Sequence, residues 1–223
     1  YPAVFMDTYL DSGSANSAYE GESQLIIGRS NYTTSQNHYT ESMIMLDWST
    51  LPIPGNHEFF DSELTLHKIS GGETNQESVR IAVCEVQDNW NESATMNGPT
   101  GNNSSWSDPK CDIPFEIASM DYQDNSIDLD ITYAVQHAHA SGLDKVNLLF
   151  AVVSDTDDEW HFASSDYSTD ESKRPDVKLQ WRTGTQWLPS PASSLLPADG
   201  STIWNETASR PRGADDVTMN WSA

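Results

Sequence analysis

The chain has 223 residues, with 34 acidic side chains against 11 lysines and arginines, which gives a formal net charge of −23. This balance excludes nucleic acid as a partner, because phosphate binding needs clustered cations. No stretch approaches the roughly 18 apolar residues of a membrane span, and the opening residues lack the pattern of a signal peptide. The acidity is explained either by solubility and adaptation to salt or by cation binding, and both explanations stay open.

The predicted elements are short and mostly β. The opening residues, 1–10, read as a strand, as expected of a mature product whose leader has been removed. Alternating or β-branched runs separated by polar turns predict further strands. Helical spacing occurs only at 130–142. We therefore expect an all-β fold, an antiparallel β-sandwich of jelly-roll type with one short helix and an extended C-terminal tail. The further predicted strands cover 22–29, 42–48, 62–69, 78–86, 147–154 and 176–181.

The character of the chain changes after Trp181. Residues 1–182 are expected to form the sandwich, and 183–223 to form a Pro- and Ser-rich linker followed by a C-terminal extension. The extension returns to alternation, so it is expected to act as a strand, either on its own domain or on a neighbouring copy of the chain. The side chains expected to make such an assembly contact are Trp204, Val217, Met219 and Trp221.

Two cysteines, Cys84 and Cys111, are the only ones in the chain. In a sequence this rich in glycosylation sequons they predict one disulfide formed in an oxidising compartment. Such a bridge would close the loop from Asp88 to Lys110 at its base. The alternative is two unpaired buried thiols.

Sequons for N-glycosylation are frequent, and they predict an exported glycoprotein. The alternative is that the matches only reflect abundant Asn, Ser and Thr. Those at 102 and 103 overlap, so one glycan is expected there. The acceptor residues are Asn31, Asn91, Asn102, Asn103, Asn205 and Asn220.

Calcium is the metal that this composition favours, because it prefers oxygen ligands from Asp-rich turns. The candidate ligands are Asp155, Asp157, Asp158 and Asp128, and a solvated turn is the alternative. Asp130 is interpreted as a helix N-cap. His137 and His139 lie on different faces of the predicted helix, which argues against a shared transition metal. With so many acids, paired carboxylates do not identify a catalytic site.

The order of motifs over residues 4–181 resembles the DNRLRE domain family, a secreted β-sandwich grouped with carbohydrate-binding modules and found in archaeal disaggregatase-related surface proteins. The resemblance implies that Trp90 and Glu92 close a corner of the sandwich, with Trp90 buried and Glu92 bonded to backbone amides. It also implies glycan binding. The motifs are "DTYLDSGSANSAYEGESQLIIGR", "SMIMLDWSTLP", "SELTLHKI", "VRIAVCEVQDNWNESATMNGP", "IDLDITYAVQ" and "FASSDYSTDESKRPDVKLQW".

We therefore expect a non-catalytic extracellular protein of the cell surface or matrix that assembles into filaments with copies of itself. A carbohydrate-binding module that contacts surface or matrix glycans is the first alternative, and an enzyme of polysaccharide breakdown is the second. No organic cofactor is expected.

Overall fold

The computed structural model describes residues 4–33, 36–53, 57–72, 78–101, 104–106, 114–153 and 158–183. Within these ranges the protein is mostly antiparallel β-sheet with a single short helix, which confirms the predicted all-β, sandwich-like fold. No helix among the described residues is long and apolar enough to cross a membrane.

In the described residues, ten strands form one curled sheet in the order β10-β4-β9-β2-β3-β8-β5-β6, with β1 paired to β3 and β7 paired to β4. Three of them, β6, β7 and β9, were not predicted as strands from the sequence. The elements in chain order are β1 (Val4–Asp11), β2 (Gln24–Thr33), β3 (Gln36–Asp47), β4 (His57–Gly71), β5 (Val79–Glu85), β6 (Glu116–Met120), β7 (Ser126–Asp130), α1 (Thr132–Ala140), β8 (Lys145–Val152), β9 (Glu159–Ala163) and β10 (Asp176–Thr183).

Strand β3 belongs to both halves of the sheet. Its first part pairs with β2 through Thr40, and its second part pairs with β8 from Ser42 onwards. The opposite edge of the second part pairs with β1. The ladder therefore passes from β2 to β8 at Glu41, and the two halves of the sandwich share one continuous strand.

Alternation on β3 separates two hydrophobic clusters. Ile44 and Leu46 face the main core, which also takes side chains from β2, β4, β5, β8 and β9, whereas Met43 belongs to a second cluster on the outer face. Because strands of both halves contribute to one core, the curled sheet closes on itself as a sandwich. Burial of each large side chain stabilises the fold by roughly 1.5–3 kcal/mol.

Helix α1 covers one end of the core with Ala134, Val135 and Ala138, all of which are buried. The prediction of Asp130 as the N-cap is wrong by one residue, because Ile131 occupies that position and makes no side-chain cap bond. The Asp130 carboxylate nevertheless accepts the backbone N–H of Thr132 over 2.9 Å, so its predicted bond to a helix amide is present.

The predicted division of the chain at residue 182 stays a prediction. The strands of the sandwich lie within the unit Tyr1–Arg182, apart from Thr183 at the end of β10. Residues 184–223, which include the four expected assembly residues Trp204, Val217, Met219 and Trp221, lie outside the described residues.

Candidate functional site

Residues 88–101 form a cap loop over the outer face of the sheet. Trp90 is 6% exposed and packs with Ala94 into the second cluster, against Leu10, Met43 and Leu149. The interior position of Trp90 expected from the family resemblance is therefore present. A tryptophan this buried offers no ring face to a sugar, so the cap loop is a structural corner at this residue.

The cap loop is fixed by polar contacts at its start and in its middle. The Asn147 side chain donates to the Asp88 carbonyl over 3.2 Å, and the Trp106 indole N–H donates to the carbonyls of Thr95 and Met96, each over 3.2 Å. These bonds hold the loop to β8 on one side and to the segment around Trp106 on the other.

Cys84 lies beneath the cap loop on β5, and its side chain is 1% exposed. Cys84 is disulfide-bonded rather than a free thiol. The expected partner, Cys111, lies outside the described residues, so the Cys84–Cys111 pairing stays a prediction.

The expected role of Glu92 is wrong. Among the residues that the structure describes, no backbone amide donates to its carboxylate. Burial raises the pKa of Glu92, and the nearby carboxylates of Asp166 and Glu20 raise it further. Glu92 therefore belongs to a group of acids rather than to an amide-bonded corner.

This group, which we name the acidic junction, consists of Asp7, Glu20, Glu92 and Asp166. Asp7 lies on β1 and is only 3% exposed, and its carboxylate accepts the backbone N–H of Ser165 over 2.7 Å. Burial raises the pKa of Asp7 to about 6 against the lowering effect of the Ser165 bond, and the charges of Asp166 and Glu92 add to the increase. Among the acids in the described part of the chain, Asp7 therefore has the largest pKa shift.

Sequence reasoning did not identify the acidic junction. The one sequence feature that could have indicated it is the alternation of "MDTYLD" on β1, which places Asp7 on the same strand face as Tyr9 and Asp11.

Tyr9 stacks on Tyr19 with ring centroids 4.1 Å apart, and the Tyr19 hydroxyl donates to Asp11 over 3.2 Å. Burial is the main cause of the raised pKa of Tyr9.

A groove of about 380 Å³ opens where the β3 ladder passes from β2 to β8. Tyr39, which is 42% exposed, lies at this groove beside Thr40 and Glu41, opposite Arg29 of β2. The Thr40 hydroxyl is buried and has no hydrogen-bond partner among the residues that the structure describes. An exposed aromatic ring next to polar side chains is an arrangement that can hold a small polar ligand. This groove was not predicted from the sequence.

Two of the four candidate calcium ligands are described. Asp128 is exposed on β7 and accepts the Thr65 hydroxyl over 2.7 Å, while Asp158 is buried and its backbone carbonyl accepts the Arg29 N–H over 3.3 Å. Asp155 and Asp157 lie outside the described residues. No three His, Cys, Asp or Glu side chains are grouped to hold a metal ion in the parts of the chain that are described.

The two helix histidines have separate partners, as their predicted positions on different faces imply. His137 Nδ1 is 2.7 Å from a carboxylate oxygen of Glu85. His139 Nε2 is 3.2 Å from the His57 carbonyl, and the two imidazole rings lie 4.3 Å apart.

Two predicted glycosylation sites fall among the described residues. Asn91 is exposed at the start of the cap-loop turn, where its side-chain carbonyl accepts the Ser93 N–H over 3.1 Å. Asn31 lies within β2, near the end of that strand. The remaining sites, Asn102, Asn103, Asn205 and Asn220, lie outside the described residues.

No family model matches the chain, and no curated protein matches it either. The resemblance to the DNRLRE domain family therefore stays a prediction.

Proposed function

We propose that the protein is a non-catalytic structural component of the cell surface or extracellular matrix, and that it assembles with copies of itself head to tail. Export is supported by the disulfide-bonded state of Cys84, because disulfides persist in oxidising compartments. Self-assembly is supported by a difference between the two edge strands of the sheet, because β10 is protected by charged side chains against the addition of a strand and β6 is much less so.

Strand β10 ends the sheet with an edge protected by charge. Lys178 lies 3.0 Å from Asp61 and Arg182 lies 3.0 Å from Glu58, both pairs joining β10 to β4. Lysine and arginine on an edge strand disfavour the addition of another strand.

Strand β6 ends the opposite side of the sheet, and within the described part of the chain little protects its outer edge. Among the described strands it pairs only with β5. Its sequence carries one charge, at Glu116, and Ile117 is 43% exposed. An unprotected edge with an exposed apolar side chain accepts an added strand through backbone hydrogen bonds, and its side-chain contacts supply specificity. This edge is the observation that carries the proposal.

The extension follows β10 directly in the chain, and β10 lies at the opposite end of the strand order from β6. A strand from the extension of one copy that pairs with β6 of the next makes a heterologous contact. Such a contact does not need to close, so it generates a filament.

The test compares four forms of the protein by electron microscopy and sedimentation. The full chain is expected to form filaments, and a chain that ends at Arg182 is expected to fold, by circular dichroism, without forming them. Ile117→Lys is expected to stop assembly by placing a charge on the acceptor edge. Leu143→Lys, at an apolar residue with 48% exposure between α1 and β8, is the matched control and should assemble normally. Filaments from the shortened chain or from the Ile117→Lys variant would refute strand addition at β6.

A carbohydrate-binding module is the second candidate, and the groove at Tyr39 favours it. The exposed ring offers a stacking face, and Glu41 and Arg29 offer polar groups at the same place. Isothermal titration with neutral oligosaccharides tests this function. Tyr39→Ala is expected to abolish binding, whereas Tyr133→Ala, at a tyrosine with 59% exposure on α1, should leave it intact. Equal binding by both variants would exclude the groove as a sugar site.

A further inference from the structure

Methionines are concentrated in the second cluster, on the outer face of the sheet. Of the five that the structure describes, four pack there, beside Trp90 and the disulfide-bonded Cys84. One of the four, Met43, is fully buried. The other three are only partly buried, and these are Met6, Met45 and Met96. A thioether that stays in contact with solvent can react with an oxidant, and the sulfoxide that results is polar.

Two of the partly buried methionines lie side by side in the sheet. Met6 on β1 and Met45 on β3 are direct partners in the antiparallel ladder. Residues directly opposite each other in such a pair have Cβ atoms about 4.5–5.5 Å apart. The methionine side chain is unbranched and flexible, so each sulfur atom can also reach neighbouring positions on both strands. The two thioethers therefore share one small area of the outer face.

A buried hydroxyl lies next to this pair. Thr8 follows Met6 by two residues on β1, so strand alternation places both side chains on the same face. Thr8 is directly opposite Met43 and diagonal to Met45. Its side chain is 2% exposed, and its hydroxyl has no hydrogen-bond partner within the described ranges. A buried hydroxyl in this state costs free energy, so an acceptor that forms beside it stabilises the fold.

We propose that Met6 and Met45 are an oxidation site for hydroperoxides, and that the Thr8 hydroxyl donates a hydrogen bond to the sulfoxide oxygen formed there. A thioether sulfur is only a weak acceptor, whereas a sulfoxide carries a polar S–O group. Oxidation therefore gives the buried hydroxyl a partner. The site goes beyond the proposed assembly, because strand addition at the β6 edge requires none of these three residues.

The reaction balances with hydrogen peroxide as the oxidant. A lone pair of the sulfur atom attacks one peroxide oxygen, so a sulfur–oxygen bond forms and the oxygen–oxygen bond breaks. The sulfur atom loses two electrons to the peroxide. The proton of the transferred oxygen joins the departing hydroxide, which leaves as water. Methionine sulfoxide can be reduced enzymatically to the thioether, so the modification is reversible.

Mapping of the oxidised positions is the first test. The full-length protein is treated with dilute hydrogen peroxide, and the oxidised fraction of each methionine is followed by peptide mass spectrometry. Met6 and Met45 are expected to react about tenfold faster than Met43 and Met120, which are 0% and 1% exposed. Protection of Met6 and Met45 to the level of the two buried methionines would overturn the proposal.

The second test compares the effect of Thr8 on the reduced and the oxidised protein by urea unfolding. All proteins carry Met96→Leu, a change that conserves volume, so that Met96 does not contribute a sulfoxide. In the reduced protein Thr8→Val is expected not to raise the equilibrium constant for unfolding, because it removes a buried hydroxyl that lacks a partner. In the oxidised protein the same change is expected to raise that constant about fivefold, because the sulfoxide oxygen loses its donor.

Thr40→Val is the matched control for Thr8→Val. Thr40 is also buried with no partner for its hydroxyl in the described part of the chain, but alternation places it on the opposite face of β3 from Met45. It should therefore change the reduced and oxidised proteins equally. Thr8→Ser keeps the hydroxyl and should resemble the native residue, and Thr8→Ala replaces the valine variant if that variant does not fold. The proposal is refuted if removal of the Thr8 hydroxyl affects both forms alike, or if oxidation of the pair unfolds the protein that retains Thr8.

Discussion

The hydroxyl of Ser42 donates a hydrogen bond over 2.9 Å to the backbone carbonyl of Ile26. Ser42 is fully buried, on β3, one residue beyond Glu41, where the ladder passes from β2 to β8. The bond therefore joins β2 to the part of β3 that already pairs with β8. It ties the two halves of the sheet together at the point where backbone pairing with β2 has ended.

Removal of this bond is expected to destabilise the whole sandwich. Ser42→Ala leaves the Ile26 carbonyl without this donor inside the protein, which costs roughly 1–3 kcal/mol in the free energy of unfolding. Urea unfolding followed by tryptophan fluorescence measures it. Ser119→Ala, at an exposed serine on β6, is the control and should change stability by less than about 0.5 kcal/mol. Equal stability of the two variants would mean that the Ser42 bond has no net effect.

Asp7 is expected to make the protein less stable as the pH rises from about 4 to 7. Burial raises its pKa in the folded state to about 6, above the ordinary value of 3.8, so the folded state binds the proton more tightly than the unfolded state. Proton binding by Asp7 therefore stabilises the folded state by roughly 3 kcal/mol below pH 4, and this stabilisation is lost as the pH rises through 6. Asp7→Asn should lack this decrease. Parallel stability curves of native and variant protein over that range would contradict the assignment.

The disulfide is expected to join Cys84 to Cys111. Peptide mapping of the native protein under non-reducing conditions should yield the linked pair, and replacement of both cysteines by serine should lower the free energy of unfolding by roughly 3 kcal/mol. Two thiols that react with an alkylating agent after denaturation without reductant would contradict the bridge.

Glycans are expected on Asn91 and Asn31 in the native host. Asn91 is exposed, so folding does not hide this site in the core. Asn31 lies near the end of β2. Glycopeptide mass spectrometry of protein purified from that host identifies the occupied positions. Unmodified peptides at all six sequons would remove the argument for export that the sequons provide.

Calcium is expected to stabilise the fold through the acidic turn that contains Asp155 and Asp157. A ligand that binds only the folded state raises the melting temperature by mass action. Melting temperatures in millimolar calcium, in chelator and in the Asp155→Asn/Asp157→Asn variant measure this. A melting temperature that is the same in calcium and in chelator would identify these residues as a solvated turn.

The sequence predicts those strands whose apolar runs are long enough to stand alone. The predicted strands at 78–86 and 147–154 correspond to β5 and β8, which are buried on both faces over several residues. Strand β9 is missed because its five residues, "EWHFA", carry only two large apolar side chains between polar ones. Trp160 and Phe162 become fully buried only through pairing with β2 and β4, so tertiary contacts rather than local propensity decide that strand.

The candidate site shows the same limit. The interior position of Trp90 follows from a recognisable motif, whereas the state of Asp7 depends on Ser165, which is distant in the sequence. The groove at Tyr39 depends on the point along β3 at which pairing with β2 ends and pairing with β8 begins, and no local sequence pattern marks that point. Properties that arise from such long-range pairing become visible only when the strands are assembled.

The shared strand β3 also has a consequence for how the protein folds. Because β3 contributes backbone bonds to both halves, neither half keeps its sheet if this strand detaches, and we expect a single cooperative unfolding transition. The pairing of β2 with β9 joins residues near 25 to residues near 162, so that half cannot form until most of the chain is available. The entropic cost of closing such a long loop must be met before the contacts between β2 and β9 stabilise it. Folding is therefore expected to be slow for the size of the sandwich.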